Sequence, residues 1–199
     1  SSSDAKVDMP LIGMGARFHP VKRYDIFFSV ASKVLSLYPQ AKFVAFGRGV
    51  DSKNSEIVKL YRSYRMGNKI TCLGEVEEVA SILEKLDIYI STSEVEAFPI
   101  SIAEAMSMGL PCVVTDVGDT AHLLGDTGAL VARNDVEKFV AALVAMIELG
   151  RLKRDELGRE ARNRIDSYFT IEKSSEKYAN LYNTVLGEIA VIFIGAMLV

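Results

Sequence analysis

The sequence predicts an α/β fold, a doubly wound parallel sheet of about six strands with trailing C-terminal helices. Three observations predict it. Short apolar runs rich in β-branched residues recur along the chain, stretches with helical periodicity lie between them, and after the sixth run only helix patterns remain. Runs buried on both faces and alternating with helices are what a parallel sheet requires, because right-handed crossover helices cover both its sides.

The six expected strands are "PLIGMGA" (10–16), "KFVAFG" (42–47), "KITCLG" (69–74), "LDIYIST" (86–92), "PCVVTD" (111–116) and "GALVA" (128–132). After the first, Ile26, Phe27, Val30, Ala31, Val34 and Leu35 fall on one face of a helix that Pro39 closes. "VEEVASILEKL" repeats the pattern with Val76, Val79, Ile82 and Leu83. The trailing helices are "DVEKFVAALVAMIEL", capped by Asn134 or Asp135 and stopped at Gly150, then "RDELGREARNRIDSYF" and "TIEKSSEKYANLYNTVL", the last opening on Thr170. One domain is expected over residues 10–186, between an N-terminal segment (1–9) that is disordered or left over from cloning and an apolar tail (187–199).

Composition narrows the classes. The chain has 199 residues, 49% of them hydrophobic, enough for one sizeable core. A net charge of −3 leaves no global basic field for nucleic acid. Cys72 and Cys112 sit in apolar runs with no second ligand at metal spacing, so both read as core residues of a protein from a reducing, cytoplasmic compartment. "SSSDAKVDMP" is no signal peptide, and "IAVIFIGAMLV" falls short of the ~20 apolar residues that cross a bilayer.

Ligands of such sheets bind beyond the carboxyl ends of the strands, so function is sought in the following loops. In the first, Arg17 and Lys22 offer a guanidinium fork and a point charge that together suit a diphosphate, although spacing alone favours two solvated surface cations. In the second, Gly47 and Gly49 permit close backbone approach, but no third glycine completes a nucleotide fingerprint and no phosphate-loop motif is present. The richest stretch is "EVEAFPISIAEAMSMGLPCVVTD". Pro99 suits the first turn of a helix running to about Met108, with Glu96 in the loop before it and Glu104 in its second turn. The N–H groups of Ile100, Ser101 and Ile102 are then expected to be free, forming an anion site that the helix dipole strengthens. His19 and His122 read as polar loop residues, because no serine or cysteine partner pattern accompanies them.

Taken together, Arg17-x4-Lys22, Gly47-x-Gly49, "ITCLGEVEEVASILEKLDIYISTS" and Glu96-x7-Glu104 in "EAFPISIAEAMSMGLPCVVTDVGD" resemble the C-terminal, donor-binding domain of the GT-B glycosyltransferases, specifically glycosyltransferase family 4. The resemblance covers about residues 10–186. It implies a Rossmann-like lobe, one half of a GT-B fold, and metal-independent, retaining transfer of a sugar from a UDP-, GDP- or ADP-sugar to a saccharide or lipid-linked acceptor.

Carried over by position, the resemblance implies that Arg17 and Lys22 hold the donor diphosphate and that Glu104 bonds the ribose hydroxyls. Glu96, with the segment Ala97 to Ile100 that includes Phe98, faces the donor sugar, and the amides of Ile100 and Ser101 meet a phosphate. Gly15 and Gly47 turn the chain beside the donor, and Gly74, Glu75 and Val76 border the base. Ala97-Phe98-Pro99 stands where the family usually has Gly-Phe-Gly, which removes one amide at Pro99, and Gly118-Asp119 and His122 stand where it usually has Gly-Gly and a Glu. The acceptor lobe of such an enzyme is expected to be missing from this sequence. The expected pathway is polysaccharide or lipopolysaccharide assembly; "GRLKRDELGREARNR", with acids and bases at i, i+4, reads as a solvated face whose arginines would touch the inner face of a membrane only with a lipid-linked acceptor. A nucleotide-sugar epimerase on the same fold and a non-catalytic nucleotide-binding module are the alternatives.

Overall fold

A computed structural model describes residues 9–197, with side chains through residue 186. The expected N-terminal segment, apart from residue 9, and the side chains of the apolar tail lie outside the described residues. The chain divides into two compact units, residues 1–162 and 163–199.

The first unit is built on β1 (Leu11–Gly15), β2 (Lys42–Phe46), β3 (Ile70–Cys72), β4 (Ile88–Ser91), β5 (Cys112–Thr115) and β6 (Gly128–Val131). They form one parallel sheet in the order β3-β2-β1-β4-β5-β6. Each expected strand is present, trimmed by up to two residues at its ends. All residues of β4 and β5 are buried, which is why these runs are continuously apolar instead of alternating. The chain reverses its winding direction between β1 and β4, and the crevice beyond their carboxyl ends is where a doubly wound sheet receives ligands.

Helices α1 (Tyr24–Leu37), α2 (Ser55–Ser63), α3 (Val79–Leu83), α4 (Ile100–Ser107), α5 (Thr120–Leu124), α6 (Val136–Glu148) and α7 (Gly150–Tyr168) complete this unit, α7 continuing past its boundary. The apolar face read in α1 is its buried face: Phe27, Val30, Ala31 and Val34 are fully buried and join Ile12, Phe43, Ile88 and Val113 from the sheet and Phe139, Leu143 and Ile147 from α6 in one core. Asp135 caps α6 as expected, accepting from the Lys138 N–H at 2.9 Å. Gly150 has φ +74 and ends α6, yet α7 starts at that residue, four positions before the predicted start. At this corner Arg154 is buried and donates to the Ile147 carbonyl at 3.0 Å.

Three elements differ from the expectation. Helix α3 is shorter than the "VEEVASILEKL" periodicity suggested, because Glu78 is still extended and the helix opens at Val79. Helix α2 was not anticipated: its mostly polar sequence buries only Ile57, and its start depends on the Asn54 side chain accepting from the Glu56 N–H at 3.1 Å. Helix α5 is a single short turn that carries His122.

The second unit holds the end of α7 and α8 (Ile171–Met197). Thr170 opens α8, its hydroxyl accepting from the Lys173 N–H at 3.3 Å, and Arg164 lies over the rings of Tyr168 and Phe169 at 5.6 and 5.7 Å. The helix passes residue 187 unbroken. Among the described residues no helix is long and apolar enough to cross a membrane.

Candidate functional site

At the β1/β4 switch point lies a cavity of about 250 Å³. Gly15, Ala16 and Arg17 line it from the end of β1, Phe46, Gly47 and Arg48 from the end of β2, and Glu75, Val76, Val79 and Leu83 from the segment after β3; Tyr89, Ser101 and Glu104 close it from β4 and α4. Seven of the predicted residues therefore meet in one place: Gly15, Arg17, Gly47, Glu75, Val76, Ser101 and Glu104.

The backbone around the cavity is fixed by close approach. Gly47 adopts φ +130, and a Cβ there would sit 2.2 Å from the Ala16 carbonyl oxygen, so only glycine lets the two loops run side by side. The Ala16 N–H donates to Phe46 O at 2.9 Å and the Phe18 N–H to Arg48 O at 2.8 Å. Gly74 does not line the cavity; it braces it, since its carbonyl accepts from the Gly47 N–H and its own N–H donates to Val50 O, both at 2.7 Å.

Charge lines the walls without being spent. The side chains of Arg17, Arg48, Glu75 and Glu104 are exposed at the cavity, and none makes a hydrogen bond or ion pair among the described residues. Two cations and two acids thus present unused hydrogen-bonding capacity to a ligand. Beneath them Tyr89 is buried; its hydroxyl donates to Gly15 O at 3.0 Å and accepts from the Gly15 N–H at 3.2 Å. Burial raises this phenol above its ordinary value of 10.0, and the Ser101 side chain and the Gly15 backbone lower it in part.

The amide site is narrower than expected. The Ile100 N–H donates to Phe98 O at 3.0 Å and the Ile102 N–H to Pro99 O at 3.0 Å, so the tight turn after Pro99 consumes two of the three predicted donors. Among the described residues only the Ser101 N–H of the three lacks an acceptor. Pro99 itself stands at the N-cap, one position earlier than predicted, and Phe98 and Ile100 are exposed side chains outside the cavity wall.

Lys22 and Glu96 also lie outside the cavity lining, and they meet each other. Lys22 Nζ is 2.5 Å from Glu96 Oε1, with the two side chains only 18% and 12% exposed. Their loops are tied by the Glu94 N–H donating to Val21 O at 2.7 Å and by the Thr92 hydroxyl, which reaches Lys22 O at 3.0 Å and Arg23 O at 3.1 Å. His19 shapes this turn, its carbonyl accepting from the Lys22 N–H at 2.9 Å. The segment after Glu96 is held by the loop after β5: a Cβ on Gly118 would sit 1.9 Å from Glu96 O, and the Asp119 N–H donates to Ala97 O at 3.1 Å. Gly118-Asp119, singled out as a departure, is thus the brace of the Glu96 loop.

Six lining residues, Ala16, Phe46, Arg48, Val79, Leu83 and Tyr89, were not among the predicted site residues, and two of them are polar. Arg48 is the residue between Gly47 and Gly49, and a polar side chain presented by a Gly-x-Gly turn after a buried strand was the available signal. Tyr89 reads as core inside β4, and only its hydroxyl hints at a polar partner. No group of three or more His, Cys, Asp or Glu placed to hold a metal occurs among the described residues.

Known proteins carry the same fold and sequence pattern. The chain is 29% identical over 174 residues to the UDP-Gal:alpha-D-GlcNAc-diphosphoundecaprenol alpha-1,3-galactosyltransferase of Escherichia coli, matching 85% of this chain and 44% of that protein. Its fold matches the crystal structure of TarM with a TM-score of 0.78 at 25% identity, over 87% of this chain and 35% of that one. It also matches Anabaena Alr3699/HepE, crystallised with UDP, with a TM-score of 0.77 at 19% identity, over 87% of this chain and 48% of that one. The chain thus spans less than half the length of each. The family model described as glycosyl transferases group 1 matches residues 9–148. With the parallel sheet, the switch-point cavity and the Glu96-x7-Glu104 segment all inside that match, the chain belongs to the glycosyl transferases group 1 family.

Proposed function

We propose that this chain is the donor-binding lobe of a retaining, metal-independent glycosyltransferase, which moves a sugar from a nucleoside-diphosphate donor to a saccharide or lipid-linked acceptor held by a second lobe. The observation that carries the reading is the convergence of Arg17, the unused Ser101 N–H and Glu104 on one cavity at the switch point. A guanidinium and a helix N-terminal amide suit a diphosphate, and an unpaired carboxylate a few residues along the same helix suits ribose hydroxyls.

The chemistry follows from charge. When the bond between the sugar and the diphosphate breaks, negative charge grows on the leaving phosphate, and Arg17 and the Ser101 amide stabilise it, joined by Lys22 once a donor has drawn it from Glu96. Before a donor arrives, Lys22 and Glu96 neutralise each other; a donor supplies phosphate to the first and sugar hydroxyls to the second. The name of the Escherichia coli relative favours a UDP-sugar and a lipid-linked acceptor. Polysaccharide or lipopolysaccharide assembly on the cytoplasmic face of a membrane fits such an acceptor.

Calorimetric titration with UDP, GDP and ADP tests the reading. UDP is expected to bind, Glu104→Ala to abolish binding, and Glu94→Ala, which alters an acid outside the cavity, to preserve it. Failure of all three nucleotides at millimolar concentration would refute the donor site.

A further inference from the structure

The cavity is mixed in chemistry. Its lining combines the polar Arg17, Ser101 and Glu104 with the apolar side chains of Val76, Val79, Leu83 and Phe46. A diphosphate suits the polar set. The apolar wall suits the flat face of a nucleobase, which gains from apolar cover and loses little hydration there. Arg48 also lines the cavity, on the loop whose Gly47 N–H is bonded to Gly74 O, directly before Glu75 and Val76.

The Arg48 main chain is held from several sides. Its carbonyl accepts from the Phe18 N–H at 2.8 Å, the Val50 N–H donates to Gly47 O at 3.0 Å, and the Asn54 amide donates to Gly49 O at 2.8 Å. Its guanidinium has no hydrogen bond or ion pair among the described residues. An exposed planar cation without a protein partner, carried on a braced backbone in the lining of this cavity, is placed to meet a ligand.

We infer that Arg48 reads the base of the nucleotide, selecting one with ring carbonyl oxygens, uracil or guanine, over adenine. The guanidinium offers only donors, and its plane stacks on an aromatic face. A ring carbonyl accepts from it, whereas adenine has no carbonyl and sets an amino donor beside its ring-nitrogen acceptors, so the fork is matched less well. This assignment rests on the donor-site reading and adds a specificity residue to it.

The test is titration of the wild-type chain, Arg48→Ala and Arg48→Lys with UDP, ADP and inorganic pyrophosphate. Because the Arg48 side chain is exposed and unpaired, both variants are expected to keep the wild-type unfolding midpoint. Arg48→Ala is expected to weaken UDP about tenfold, the scale of one hydrogen bond to a charged group, with pyrophosphate and ADP changed less than about twofold. Arg48→Lys keeps the charge but not the plane and is expected to resemble Arg48→Ala. Equal weakening of UDP, ADP and pyrophosphate would make Arg48 a phosphate ligand and overturn the proposal, as would an unchanged UDP affinity. A wild-type chain that binds none of the three would instead refute the donor site itself.

Discussion

Lys22 Nζ and Glu96 Oε1 stand 2.5 Å apart, linking the loop after β1 to the loop after β4. Both side chains are largely withdrawn from water, so neither charge is well solvated without the other. Glu96→Ala and Lys22→Ala are each expected to cost about 1–3 kcal/mol, and the double variant less than the sum. Urea unfolding of the three variants measures the coupling; strict additivity would show that the pair contributes nothing.

Gly47 and Gly67 separate close approach from conformational strain. Both have positive φ, but a Cβ on Gly47 would meet the Ala16 carbonyl at 2.2 Å, whereas one on Gly67 would have nothing within 4 Å. Gly67→Ala is expected to cost about 1 kcal/mol, and Gly47→Ala at least twice that together with loss of nucleotide binding. Denaturant midpoints and a UDP titration compare them.

Gly158 reverses a common rule. Glycine inside a helix usually gives way to alanine with a gain of about 1 kcal/mol. Here a Cβ would lie 1.9 Å from the Gly109 carbonyl oxygen, against which α7 packs. Gly158→Ala is expected to lower the thermal midpoint instead of raising it.

The Arg23 guanidinium reaches Asp25 at 2.7 and 2.9 Å and holds that carboxyl below its ordinary value of 3.8. A carboxyl whose folded pKa is depressed stabilises the fold fully above the unfolded value, and this contribution is lost as pH falls through the folded one. Because Asp25 is 46% exposed, the effect is small. Asp25→Asn is expected to flatten the acid limb of stability below about pH 4 without changing stability differences between pH 6 and 8, read as urea midpoints across that range.

Burial and the charge of Asp51 push the Cys72 thiol up to about 11, and burial alone raises the fully buried Cys112 further. Both are expected to react with a disulfide reagent at pH 8 far more slowly than free cysteine, and both at full rate in urea.

The sheet was legible because a parallel strand buried on both faces must be apolar throughout, and Ile88–Ser91 and Cys112–Thr115 announce that directly. Helix α2 was not, since only Ile57 of its face is buried and a polar side-chain cap starts it. At the site, the meeting of Arg17, Gly47 and Glu104 at one cavity was legible, because a parallel sheet gathers the loops after its strands at one edge. The engagement of Ile100 and Ile102 was hidden, because the turn that consumes their N–H groups depends on backbone angles after Pro99. The Lys22–Glu96 pair was hidden too, as 74 residues separate its members and only the fold brings them together.

A crystal structure of this chain with UDP tests the central claim most directly. The diphosphate is expected within hydrogen-bonding distance of Arg17 and the Ser101 N–H, the ribose hydroxyls on Glu104, and the base against Val76 and Val79 beside Arg48. UDP bound away from the β1/β4 switch point, or lying in the cavity with its ribose remote from Glu104, would contradict it.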